Sequence, residues 1–126
     1  MLSVARYGTR DLERAKTFYD EIAALLGAKR VFERPEVVAY KGAEGGMFLV
    51  GKPLAGEPTA GNGTQVGFAA KNRATVNAVH AKALELGGKC EGEPGVRGPD
   101  PNGFYGAYFR DLDGNKLLVS CFGPPD

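Results

Sequence analysis

A few side chains in this 126-residue chain are of types that could bind or transform a small molecule. Arg6 lies among apolar residues, where a guanidinium could hold a carboxylate or a phosphate through paired hydrogen bonds. His80 is the single histidine, and the ordinary pKa of an imidazole suits a general base near neutral pH. Both also have structural interpretations, because Arg6 could pair with an acidic residue at a rim and His80 could pack at the edge of a helix.

The two cysteines and one irregular segment give less specific signals. Cys90 and Cys121 lack the spacing of metal-binding pairs, so we expect structural thiols in a reducing compartment. Residues 92–103 (GEPGVRGPDPNG) are rich in Gly and Pro, which predicts a loop that could wall or cover a site. We expect Arg97 and Asp100 in this loop to be solvated, with a covering role as the alternative.

The overall composition limits the classes of partner. The formal net charge of +1 gives no general attraction for nucleic acid or for a membrane surface. No segment approaches the roughly 20 apolar residues that span a bilayer, and no initial apolar run resembles a signal peptide. We therefore expect a cytoplasmic protein whose partner is a small molecule or another protein.

The elements that must position these side chains are organised around residues 104–122 (FYGAYFRDLDGNKLLVSCF). Two apolar runs flank Asp113-Gly114, a dipeptide that favours the tight turn of a β-hairpin. Residues 37–50 (VVAYKGAEGGMFLV) form a weaker copy, in which Gly45 takes the place of Gly114. The copies are 69 positions apart, which indicates an internal duplication.

The segments before the hairpins support the duplication. Residues 4–27 and 65–88 align without a gap, each giving a strand, a helix-capping residue, an amphipathic helix and a closing glycine. Asp11 and Asn72 are the matching caps, 61 positions apart, so the second copy has the longer loop. We predict a single α+β domain over 1–126, with a first module at 1–50, a linker at 51–63 and a second module at 64–122.

Alternation along the strands predicts which side chains share a face. Val66 and Phe68 should lie under a helix, as should Leu117, Val119 and Cys121, which leaves the intervening residues on the open face of each sheet. The equivalent open-face positions of the two modules are Val4, Leu49, Gln65 and Leu118, and Arg6 faces the same way as Val4.

These faces predict a ligand-binding cavity. Arg6 and Gln65 should stand close together on one concave face, with Met47, Leu49 and Leu118 as apolar walls, which suits a ligand with an anionic or carbonyl end. The aromatic residues of the last hairpin cannot be sorted by alternation, and we include Tyr105 among the predicted ligand-binding residues. No catalytic residue can be assigned.

The order of these motifs resembles the vicinal oxygen chelate superfamily, which includes glyoxalases, bleomycin-resistance proteins and ring-cleaving dioxygenases. The likeness rests on residues 8–15 (GTRDLERA), Phe18-Tyr19, Leu26-Gly27 and, above all, residues 110–116 (RDLDGNK), close to the D-P-D-G-N turn of that family. The resemblance implies two βαβββ modules whose strands curl into an incomplete barrel. It also implies a homodimer, because single-chain members resemble half of a symmetric assembly and the sheet edges need covering.

Metal-using members of the superfamily take their ligands from the first and last strands of each module. The matching positions here are Val4, Leu49, Gln65 and Leu118, and three of these side chains have no donor atom for a divalent ion. We therefore expect no metal and no other cofactor, and a protein that binds or sequesters a small, partly apolar ligand. The alternatives are a glyoxalase-type lyase or dioxygenase with a divalent metal on residues not identified, and an interaction module without a ligand.

Overall fold

A computed structural model describes residues 1–126 and shows the same order of elements twice. The first module contains β1 (Val4–Gly8), α1 (Leu12–Leu25), β2 (Lys29–Arg34), β3 (Val37–Lys41) and β4 (Met47–Gly51). The second module contains β5 (Val66–Ala69), α2 (Arg73–Glu85), β6 (Lys89–Val96), β7 (Phe104–Arg110) and β8 (Lys116–Phe122). Their sheets have the matching strand orders β1-β4-β3-β2 and β5-β8-β7-β6, which confirms the duplication and the α+β fold class. Neither helix combines the length and apolar composition needed to cross a membrane.

Both helices begin at the predicted caps. The carboxylate of Asp11 accepts a hydrogen bond from the backbone N–H of Arg14 at 3.2 Å, and the amide oxygen of Asn72 accepts one from that of Thr75 at 2.8 Å. These bonds satisfy backbone donors that the first turn of a helix leaves without partners. The caps thus fix where each helix starts relative to the strand before it.

The second module differs from the prediction in β6. This strand continues to Val96, although residues 92–103 were predicted to form an irregular loop. It pairs only with β7 and contains two register shifts, between Cys90 and Gly92 and between Gly92 and Gly95. Pro94 is tolerated because an edge strand with bulges does not need every backbone N–H in the ladder.

The two modules share one hydrophobic core, which both sheets cover with their helix-bearing faces. The ring of Phe48 on β4 lies 5.1 Å from that of Phe68 on β5, and the ring of Phe18 on α1 lies 6.3 Å from that of Phe109 on β7. Since the helix-bearing faces are turned inward, the open faces of the two unclosed sheets are turned outward. The chain alone therefore does not enclose one concave face between its modules.

Candidate ligand-binding surfaces

The open face of the first sheet carries the predicted residues of the first module. Val4 lies beside Met47 and Arg6 beside Leu49 in the parallel register of β1 and β4, while the alternate residue Tyr7 is buried in the core. Arg6 is exposed, and its Nη2 donates a hydrogen bond to the backbone oxygen of Lys52 at 2.6 Å. One end of its guanidinium is thus anchored to the rim of the sheet.

The open face of the second sheet is more polar. Leu118 pairs with Tyr108, and the ammonium of Lys116 lies 5.2 Å from the centre of the Tyr108 ring. Gln65 directly precedes β5 and lines a cavity of about 510 Å³ together with Arg110 and Lys116. Amide and cationic groups thus line this cavity, on the same face of the sheet as Leu118, and they can hold an anionic or carbonyl oxygen.

Arg6 and Gln65 do not lie on one concave face of the chain, so that prediction is wrong for a single copy. They belong to different sheets, and the open faces of these sheets are turned away from the common core. Strand alternation correctly predicted the face of each residue within its own sheet. It could not predict that the modules would pack with their helix-bearing sides together.

Tyr105, which was included among the ligand-binding residues without an assigned face, lies on the side of its sheet that α2 covers. It pairs with Cys121 on the helix-bearing side of β7, and its hydroxyl donates to Oδ1 of Asn77 on α2 at 2.6 Å. The guanidinium of Arg73 lies 4.8 Å from the centre of its ring. These contacts anchor α2 to its sheet, and the aromatic residues on the open face are instead Phe104 and Tyr108.

Four positions of this chain match those that supply metal ligands in metal-using members of the superfamily. Their side chains do not suit a divalent ion. Val4, Leu49 and Leu118 have hydrocarbon side chains, and Gln65 is a single neutral donor on a separate sheet. A divalent site needs several oxygen, nitrogen or sulfur donors that converge on one point. These positions can line a binding surface, but they cannot hold a catalytic metal.

The sequence did not predict a cavity of about 550 Å³ between the two modules. Its floor is apolar and includes Ile22, Phe48 and Phe68, and its rim includes Lys41 and Lys71. One wall is the glycine-rich turn 42–46 that joins β3 to β4. The only sequence signal for this cavity was the absence of large side chains from that turn.

The turn that resembles the D-P-D-G-N motif is a junction between the modules. The buried carboxylate of Asp111 accepts hydrogen bonds from the Tyr19 hydroxyl at 2.5 Å and from the side-chain amide of Asn115 at 2.9 Å. Asn115 also donates to the backbone oxygen of Gly8, and Thr9 donates to Asp113. The conspicuous motif of the chain thus fastens β1 and α1 to the second hairpin.

Burial governs the ionisation of this junction. Burial raises the pKa of Asp111, although the hydrogen bonds from Tyr19 and Asn115 act to lower it. Burial and the adjacent Asp111 carboxylate together raise the pKa of Tyr19 well above its ordinary value. Both groups are already satisfied by one another, which leaves neither available to a ligand.

Comparison with known proteins identifies the class to which this fold belongs. The family model described as the Glyoxalase/Bleomycin resistance protein/Dioxygenase superfamily matches residues 2–119. A glyoxalase/bleomycin resistance protein from Albidiferax ferrireducens T118 has a crystal structure with 35% identity and a TM-score of 0.86, covering 95% of this chain and 97% of that one. The chain therefore belongs to this superfamily, and the predicted family and fold are confirmed.

More distant solved structures share the fold. Lactoylglutathione lyase from Agrobacterium tumefaciens has 23% identity and a TM-score of 0.65, covering 95% of this chain and 92% of that one. A glyoxalase-related enzyme from Fulvimarina pelagi has 20% identity and a TM-score of 0.72, covering 95% and 86% of the two chains. A search of the curated proteins finds no match.

Proposed function

We propose that this protein binds a small molecule with an anionic or carbonyl end and an apolar body, without a metal, on the open faces of its sheets. The observation that carries the proposal is the composition of these faces. Arg6 stands beside Leu49 and Met47 on one, and Gln65 and Lys116 flank Leu118 on the other. A fixed cation and an amide next to hydrocarbon walls suit such a ligand.

We further propose a homodimer, because each open face is only half of an enclosed site. Within one chain the helix-bearing faces are already covered by the shared core, and β1 and β5 are both edge strands. The open faces also expose apolar side chains, with Val4 at 44% and Phe122 at 79%. A second copy that sets its second sheet opposite the first sheet would cover these residues and bring Arg6 close to the partner's Gln65.

A lyase or dioxygenase activity is the second candidate. Its support is superfamily membership and the likeness in fold to lactoylglutathione lyase from Agrobacterium tumefaciens, and it requires a metal held by residues other than Val4, Leu49 and Leu118. Fold alone does not carry such chemistry, since one fold serves many functions. The cytoplasmic location stays part of the proposal, in keeping with the two free thiols.

The binding test is a thermal-shift screen of small carboxylates and ketones with apolar bodies, run with and without a chelator. Hits should be indifferent to the chelator, because no metal takes part. Arg6→Ala should weaken binding of acidic hits by about 1.5–3 kcal/mol, the range for a hydrogen bond to a charged group. Arg14→Ala removes an exposed cation from α1 and is the matched control.

A third variant distinguishes binding on the open faces from binding in the cavity between the modules. Lys71→Ala removes an exposed cation from the rim of that cavity and should leave the affinity of every hit unchanged. If Lys71→Ala weakens binding while Arg6→Ala does not, the cavity is the binding site and the proposal for the open faces is wrong. Hits that disappear with the chelator would instead support the metal-dependent alternative.

The homodimer is tested separately by light scattering of the purified chain. At micromolar concentration the measured mass should be twice the 13.3 kDa of one chain. Leu118→Glu places a charge on the proposed covered face and should shift the mass toward that of a monomer. A monomeric wild-type protein would contradict the proposed assembly.

A further inference from the structure

The remaining cluster of metal-binding side chains lies away from both open faces, where α2 covers the edge strand β6. It consists of His80 on α2 and of Cys90 and Glu93 on β6. Cys90 pairs with the core residue Phe109, so its side chain lies on the helix-bearing side of the strand. From these three residues we infer a binding site for a soft divalent cation such as Zn²⁺.

The spacing of the donor atoms fits one ion. One nitrogen of His80, the Sγ of Cys90 and a carboxylate oxygen of Glu93 all lie within 4.8 Å of one another, and the Cys90 sulfur is 3.3 Å from Oε1 of Glu93. Two ligands of a tetrahedral zinc ion are about 3.3–3.8 Å apart, given metal–ligand bonds of about 2.0–2.3 Å. Cys90 and Glu93 are exposed, so small rotations of their side chains can shorten the distances between donor atoms from 4.8 Å or less to the tetrahedral spacing.

His80 supplies an independent indication that this cluster binds an ion. Its side chain is 3% exposed, and its Nε2 atom is buried without a hydrogen-bond partner. Buried polar atoms in folded proteins are almost always paired, and an unpaired one calls for an explanation. The equivalent residue of the first module is Tyr19, whose hydroxyl is paired with Asp111. An ion bound beside His80 would give the imidazole a partner as well.

The donor types select the class of ion. A thiolate and an imidazole favour zinc and related transition ions, whereas calcium and magnesium take oxygen donors. Glu91, the neighbouring acid, is already paired with Arg110 at 2.5 Å, so the ligand set is limited to three side chains. A tetrahedral ion here would keep one position for water. These three residues are distinct from Val4, Leu49, Gln65 and Leu118, which match the metal-ligand positions of the superfamily.

The inference is tested by titrating chelator-treated protein with Co²⁺, whose absorption reports its ligands. One equivalent should produce a thiolate-to-cobalt charge-transfer band and the intense visible bands of a tetrahedral ion, and Zn²⁺ should abolish both. Cys90→Ser should remove the charge-transfer band, and Glu93→Gln should weaken binding by at least about tenfold. Both residues are exposed, so these variants should fold normally.

Cys121→Ser is the matched control, because it removes the other free thiol and should leave the spectrum unchanged. Absence of a charge-transfer band in the wild-type protein would overturn the inference, as would Co²⁺ binding by Cys90→Ser with unchanged affinity. Arg6→Ala should bind Co²⁺ as the wild type does. Failure of the small-molecule proposal and failure of this site are therefore distinguishable.

Discussion

The two modules use the turn between their last two strands in opposite ways. In the second module, Asp111 and Asn115 fill the junction with β1 and α1 and bond to it. In the first module, the matching positions are Gly42 and Gly46, and a cavity of about 550 Å³ lies where the side chains would be. A duplicated fold thus needs only one of its two equivalent junctions to hold the modules together, which leaves the other free to vary.

Loss of the polar junction should have the largest effect. Asp111→Ala should lower the free energy of unfolding by about 3 kcal/mol or more, because several donors lose one acceptor and each unsatisfied buried group costs about 1–3 kcal/mol. Urea denaturation followed by circular dichroism measures this change. Glu44→Ala, in the equivalent turn, should stay within about 0.5 kcal/mol of the wild type.

If the Asp111 variant is too unstable to purify, Tyr19→Phe tests the contribution of the same junction to stability with a smaller change. It removes one hydroxyl and should cost about 1–2 kcal/mol, since the Asp111 carboxylate keeps its bonds to Asn115. Equal stability of Asp111→Ala and Glu44→Ala would show that the two junctions do not differ in strength.

The junction at turn 42–46 of the first module has a steric requirement. A substitution that violates it should destabilise the protein by an intermediate amount. A Cβ atom at Gly46 would lie 2.6 Å from the backbone oxygen of Ser3, whose carbonyl accepts a hydrogen bond from the Met47 N–H. Gly46→Ala should therefore cost about 1–3 kcal/mol through displacement of the backbone. The same urea titration measures it, and Gly42→Ala, whose Cβ would make only ordinary contact with Ala28, is the control.

The smallest predicted effect is on the pH dependence of stability, through a hydrogen-bond network of Asp20 that is confined to the first module. Asp20 accepts hydrogen bonds from the Arg30 guanidinium at 2.7 Å and from the Tyr40 hydroxyl at 2.7 Å. Burial acts to raise the pKa of Asp20, but these bonds outweigh it and the pKa is lowered. A carboxyl with a lowered folded-state pKa stabilises the fold above its unfolded pKa of about 3.9, and this contribution is lost as the pH falls through the folded-state value.

Asp20→Asn should therefore be less stable than the wild type at pH 7 by less than about 1 kcal/mol, since both charged partners are partly exposed. The difference should vanish in acid. Denaturation of the two proteins at pH 7 and at low pH measures this convergence, and a constant difference would show that the charge of Asp20 is irrelevant.

Local order in the chain was predictable because it depends on neighbouring residues. Asp11 and Asn72 cap their helices as expected. The burial of Leu117 and Val119 against the partial exposure of Leu118 follows the predicted alternation. Periodicity and capping operate over a few residues, and a single sequence displays them directly.

Features that depend on distant residues were not predictable. Alternation cannot reveal which sides of two sheets meet, so it placed Arg6 and Gln65 on one face. The face of Tyr105 could not be predicted, because aromatic residues occupy both alternating sets of positions in its strand. His80, Cys90 and Glu93 carry no metal-binding spacing in the sequence, and it is the packing of α2 beside β6 that places their donor atoms within 4.8 Å of one another. These arrangements arise from packing between elements, for which the sequence offers no short-range signal.

The Tyr19 hydroxyl has a consequence for the order of folding. Its acceptor, Asp111, is 92 residues away, so a nascent first module leaves the ribosome before the partner of this hydroxyl has been synthesised. Closing so long a loop is slow compared with forming a helix or hairpin. During synthesis, the first module should therefore remain loosely packed around α1 until the last hairpin emerges.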